Sequence, residues 1–164
     1  MKRKIINISG LVFILFLVSQ SMFSQKVTLG ITTTTDSVRY SPRHVFAAWV
    51  EDDSCRFVKS LEVSAVRRMR YLYTWNIVSK ANVVDAVTGA TLTEPKSHTL
   101  VWNCKDLNGK IVPDGNYTIR IEFTGQHAQG PIYSVAFTKS PYPQKITHSD
   151  SKFFKDIVLD FVPR

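Results

Sequence analysis

A chain of 164 residues, 44% hydrophobic and 21% charged, is long enough for one ordinary core and too apolar for a disordered polymer. Its formal charge of +8 drops to +5 without Lys2, Arg3 and Lys4, since the leader holds those three of the 21 basic residues and none of the 13 acidic ones. The two cysteines, Cys55 and Cys104, are too few for a disulfide-dense scaffold, and neither belongs to a CxxC pair.

The leader has the layout of an export signal. Met1-Lys2-Arg3-Lys4 is a basic start, Leu11 to Val18 is apolar but short for a membrane span, and Ser19 to Gln25 supplies small and polar residues for cleavage. The pattern predicts a signal peptide over residues 1–25, with an uncleaved anchor as the alternative. No cysteine follows the apolar stretch, which argues against a lipoprotein anchor. Residues 26–164 then form a single periplasmic or secreted domain with no stable membrane insertion after cleavage. Export also argues against a nucleic-acid partner, and the modest remaining charge mainly concerns solubility. In an oxidising compartment Cys55 and Cys104 could form one disulfide, worth about 2–4 kcal/mol, or remain two thiols.

Alternation of Val27, Leu29 and Ile31 with Lys26, Thr28 and Gly30 predicts a first strand. Val45 to Val50 is apolar without a break, the mark of a strand covered on both faces. After the turn cluster Glu51 to Ser54 a partner strand runs from Phe57 to Ala65, with Phe57, Lys59, Leu61, Val63 and Ala65 expected on one side. Arg67 to Trp75 mixes arginines with aromatics. Arginine stems packing over rings at a sheet edge, with Trp75 buried, explain it better than an anionic ligand.

Asp85-Ala86-Val87-Thr88-Gly89-Ala90-Thr91 leads to Pro95, and His98 to Trp102 is the next strand. The most legible stretch is Trp102 to Phe123. Asn108-Gly109 and Pro113-Asp114-Gly115 mark turns, and Tyr117, Ile119, Ile121 and Phe123 then alternate with polar residues, which reads as a hairpin. Ile132 to Thr138 and Ile157 to Phe161 are further strands. The total is about seven to nine short strands with no helical stripe, the pattern of an all-β, immunoglobulin-like antiparallel β-sandwich.

Trp102-Asn103-Cys104-Lys105-Asp106, Gly109 and Val112 to Tyr117 resemble the closing hairpin of immunoglobulin-like domains in flagellar hook-capping proteins and many secreted bacterial modules. A wider resemblance rests on Ser41 to Asp52, Phe57 to Leu61, Arg70-Tyr71-Leu72 with Trp75, and Asp85 to Thr91. Together these look like an uncharacterised family of predicted periplasmic proteins, domain of unknown function 2271. That resemblance implies an exported immunoglobulin-like domain and carries no catalytic residues with it. It also implies a glycine where this chain has Cys55.

The sharpest functional candidate is Asp85 to Thr91. It resembles the acceptor sequence of extracytoplasmic FMN-binding domains, which implies FMN esterified to Thr91 by a flavin transferase, with Asp85, Thr88, Gly89 and Ala90 forming the rest of the motif. The bland alternative is a surface turn beside an edge strand. His44, His98, His127 and His148 show no metal-ligand spacing; His44 and His98 are expected to cap strand ends and the other two to lie in loops. No Gly-x-Ser-x-Gly elbow is present. The sequence therefore points to a non-enzymatic binding or accessory module beside a membrane redox or uptake system, with a protein partner in the cell envelope. The alternative is an electron carrier with covalent FMN at Thr91.

Overall fold

The computed structural model describes residues 24–34, 44–65, 68–83, 86–124 and 128–164. Residues 1–23, where most of the expected signal peptide falls, and Arg67, Asp85 and His127 lie outside them. Nine strands are described: β1 (Lys26–Thr33), β2 (Val45–Asp52), β3 (Phe57–Ser64), β4 (Val87–Gly89), β5 (Ser97–Trp102), β6 (Gly115–Thr124), β7 (Ile132–Lys139), β8 (Gln144–Thr147) and β9 (Phe154–Val162). They form a four-stranded sheet in the order β5-β1-β9-β8 and a five-stranded sheet in the order β4-β3-β2-β6-β7. The expected β-sandwich is present. One correction concerns strand direction, because β4 runs parallel to β3 whereas the other pairs are antiparallel.

Two cores account for the unbroken apolar run of β2. Phe46, Ala48 and Val50 face the space between the sheets with Leu29, Ile119 and Leu159. Val45, Ala47 and Trp49 face outward into a second cluster with Leu72 and Trp75. Every side chain from Val45 to Val50 is therefore fully buried. The partner strand departs from the expected single-sided pattern. Ala48 pairs with Glu62 but Trp49 with Ser60, so Leu61 is the extra residue of a β-bulge, which turns the strand's phase. As a result Leu61 joins the inter-sheet core while Val63 and Ala65 pack in the outer one, and a second register shift, between Val50 and Glu51, returns Phe57 to the outer one.

The outer core is roofed by a helix that the sequence does not announce, α1 (Tyr73–Ser79). Its residues, YTWNIVS, are mostly aromatic or β-branched and weak helix formers. Tertiary bonds hold it instead. The buried Glu122 carboxylate on β6 accepts the backbone N–H groups of Thr74 and Trp75 at 3.2 and 2.9 Å, satisfying donors that a helix start leaves free. Trp75 Nε1 donates to Ser60 Oγ at 3.0 Å, and Lys80, in the left-handed region at φ 54°, ends the helix. Burial of Trp75 is as expected; removing such a side chain typically costs about 3–5 kcal/mol. Just before α1, the Arg70 guanidinium lies 5.0 Å from the Tyr71 ring centre, so one of the expected arginine–aromatic stacks is present, on a 3₁₀ turn rather than a strand.

Trp102 to Phe123 is not a hairpin. β5 belongs to the four-stranded sheet and β6 to the five-stranded one, so the connection crosses between sheets. Its local ladder is a single bridge between Lys105 and Ile111. Both Trp102 and Tyr117 reach the inter-sheet core, with ring centres 5.2 Å apart. Tyr117 Oη donates to the Pro113 carbonyl, four residues upstream, at 2.8 Å, a bond like the tyrosine corner of immunoglobulin-like sandwiches.

Candidate functional site

The segment singled out by sequence lies at one edge of the five-stranded sheet. Parallel pairing sets Val87 beside Glu62, Thr88 beside Val63 and Gly89 beside Ser64. Thr88 and Ala90 are exposed, whereas Gly89 and Thr91 are half-buried. A Cβ on Gly89 would stand 3.3 Å from Ser64 Oγ, so glycine lets the two strands approach closely here. Beyond Thr91, Leu92 and His44 exchange two backbone hydrogen bonds of 2.9 Å each, which tie the segment to the start of β2. The Thr91 hydroxyl is buried and has no hydrogen-bond partner.

Beneath this edge lies a polar link that sequence reasoning missed. Glu62 Oε1 accepts from Ser64 Oγ at 3.1 Å and sits 3.0 Å from Nδ1 of His98 on β5, joining the two sheets. Burial alone would push the Glu62 carboxyl up. The hydrogen bond and charge of His98, with Lys96 and Ser64, nevertheless hold it below the usual carboxylate range. The His98 ring stacks on Phe46 at 4.0 Å and an interplanar angle of 9°. His98 is therefore an interior residue of β5 rather than a cap. One signal was available: His98, Leu100 and Trp102 share a phase, and all three are buried.

Serine, glutamate and histidine together suggest nucleophilic catalysis, but the order of contacts is wrong for it. Ser64 bonds the carboxylate instead of the imidazole, and His98 Nε2 is buried without a partner. An activated nucleophile needs its base within hydrogen-bond reach. We read the trio as a cross-sheet tie.

The other histidines divide. His44 stands at the start of β2 as expected, yet its side chain caps nothing, because the ring is stacked on Phe123 at 4.9 Å with both nitrogens buried and unpartnered. His148 lies in a loop after β8, as expected. Among the described residues no group of three His, Cys, Asp or Glu side chains could hold a metal ion.

Cys55 and Cys104 form no bridge; both are free thiols. Their settings explain this. Cys55 is exposed in the β2–β3 turn, while Cys104 is fully buried in the inter-sheet core, where desolvation pushes its thiol up to about 11. Cys55 takes φ 57°, so the left-handed turn that favours glycine forms with cysteine in place.

At the same end of the sandwich Trp49 Nε1 donates to Glu51 Oε1 at 2.8 Å, and Arg120 Nε lies 3.1 Å from Glu51 Oε2. Arg120 also donates to Ser134 Oγ at 2.6 Å. Glu51 and Arg120 line an open groove with Asp52, Asn116 and Thr118. Nearby loops expose Leu107, Ile111 and Tyr142.

A family model described as predicted periplasmic protein, DUF2271, matches residues 26–155. The chain belongs to this family. The match stops inside β9, although β9 pairs with β1 out to Val162, so the sheet extends past the matched region. No curated protein and no solved structure matches the chain. No helix among the described residues is long and apolar enough to cross a membrane. As for FMN, the Thr91 hydroxyl that would be esterified is shielded, so the residues do not fit that attachment in this conformation.

Proposed function

We propose that the protein is exported by a cleaved signal peptide over residues 1–25 and acts as a non-enzymatic binding module for a protein of the cell envelope. We assign its binding surface to the sandwich end that holds the 52–56 turn and the 103–114 connection. The observation that carries this reading is the company of exposed apolar side chains there. Leu107, Ile111 and Tyr142 are 44%, 53% and 75% exposed, on loops whose backbones are already fixed by side-chain hydrogen bonds. Large apolar groups on pre-set loops lose little freedom on binding, and Tyr combines a broad apolar face with a polar tip. The acidic groups Glu62 and Glu122, by contrast, are engaged in internal bonds.

The test places a photo-crosslinking residue at Tyr142, and separately at Ile77 on the exposed side of α1, in the native host. Adducts at Tyr142 that are absent at Ile77, and that vanish when Leu107 and Ile111 are both changed to Asp, support the reading. Equal adducts at both positions, or none at Tyr142, overturn it. Intact mass of the same preparations tests the electron-carrier alternative. An FMN-sized adduct that Thr91→Ala abolishes would replace the binding module with a flavin carrier serving a membrane redox system.

A further inference from the structure

The family reading leaves unexplained a buried imidazole with nothing to bond. His44 is 1% exposed, and neither Nδ1 nor Nε2 has a hydrogen-bond partner. Its ring lies nearly parallel to Phe123, 16° between planes, and Phe123 meets Phe154 edge-on at 6.0 Å. A neutral imidazole is tolerated in such a stack, but an imidazolium would carry two strong donors and a full charge into apolar surroundings. The backbone of the same residue is the clamp on the segment after β4, through its paired bonds to Leu92.

We propose that His44 is a proton-sensitive latch, holding the Ala90 to Leu92 segment against the sandwich when neutral and releasing it in acid, which would uncover the Thr91 hydroxyl. Burial lowers the affinity of His44 for a proton below the ordinary imidazole value of 6.5. The unfolded or opened chain then binds the proton first. Stability from the neutral ring is complete above that value and is lost as pH falls through the lowered one.

Among the titratable neighbours in the described structure, Glu122 works against this. Glu122, next to Phe123, turns its carboxylate toward α1. Burial raises its pKa against the pull of the Trp75, Thr74 and Tyr73 amides, so its protonation favours the closed fold as pH falls and opposes the latch. Glu62 and His98 bond one another beside Phe46, and the Glu62 carboxyl, held low, titrates only in stronger acid. His148 lies beyond Tyr133 and Phe154. Glu94 and Lys96, after Leu92, are exposed.

Hydrogen exchange of the Leu92 amide, which donates to the His44 carbonyl, reads the latch directly. Corrected for intrinsic exchange, its protection in the full chain should fall about tenfold between pH 7.5 and pH 5.0. In His44→Phe, which keeps an aromatic ring in the stack, it should change by less than about twofold over that range. Equal pH dependence in both proteins, or none in the wild type, overturns the proposal. Should His44→Phe fail to fold, the wild-type His44 ring resonance decides: a midpoint below 6.5 that coincides with the loss of Leu92 protection supports the latch, and a midpoint at or above 6.5 refutes it.

Discussion

The turns Asp52–Arg56 and Asp106–Lys110 share one hydrogen-bond scheme but differ in sequence and in what they connect. In each, the first aspartate donates its N–H to the carbonyl four residues on and accepts at its own carbonyl from the residue at position four. One of its side-chain oxygens also accepts two further amides, Ser54 and Arg56 in one turn and Asn108 and Lys110 in the other. At position four the second turn has Gly109 at φ 76°, and the first has Cys55 at φ 57°. The Asp52 turn joins neighbouring strands of one sheet, whereas the Asp106 turn sits in a crossover between sheets. The shared aspartate thus defines the turn. Glycine makes it cheaper, and the flanking strands decide where it leads.

Removing the shared acceptor should have the largest effect. Asp52→Ala and Asp106→Ala each strand two amides and should lower stability by about 1–3 kcal/mol in denaturant titration. If either variant unfolds at the wild-type midpoint, the aspartate is not what defines that turn. Exchanging the fourth residue should matter less. Gly109→Ala should cost about 1 kcal/mol, and Cys55→Gly should gain up to about 1 kcal/mol by relieving the left-handed cysteine. The same Cys55→Gly protein should lose the thiol that reacts natively with an aromatic disulfide reagent, leaving Cys104 to react only on unfolding. A second native-state thiol would contradict the burial of Cys104. The smallest effect belongs to Arg56→Ala, which deletes an exposed ion pair of 2.8 Å with Asp52. The loss should be small, and smaller still in high salt. A salt-independent loss would point instead to packing by the arginine stem.

Local chemistry was readable in the sequence, and long-range placement was not. Tyr117 to Phe123 announced a strand and its buried phase, and Val45 to Val50 announced two covered faces. Alternation says which side of a strand is apolar but not which sheet the strand joins, which is why the Trp102 to Phe123 stretch passed for a hairpin. The helix was invisible because its support comes from Glu122, 47 residues beyond Trp75. The Glu62–His98 contact spans 36 residues, and neither residue's immediate neighbours hint at the other. The segment from Val87 to Thr91 was found, and it does stand at a sheet edge. That its last hydroxyl is shielded depends on the fold packed around it, information no local motif contains.

The order of strands in the four-stranded sheet also bears on how the chain acquires its structure. β1 lies between β5 and β9, so the first strand stays half-paired until the last one has been delivered. The contact joins Lys26 to Val162 across nearly the whole chain, a loop whose closure costs entropy before any bond repays it. The five-stranded sheet needs nothing beyond Lys139 and can assemble without waiting. Until β9 is in place, the inner face of the five-stranded sheet, Phe46, Ile119 and Ile121 included, can be covered by no more of the other sheet than β5, β1 and β8.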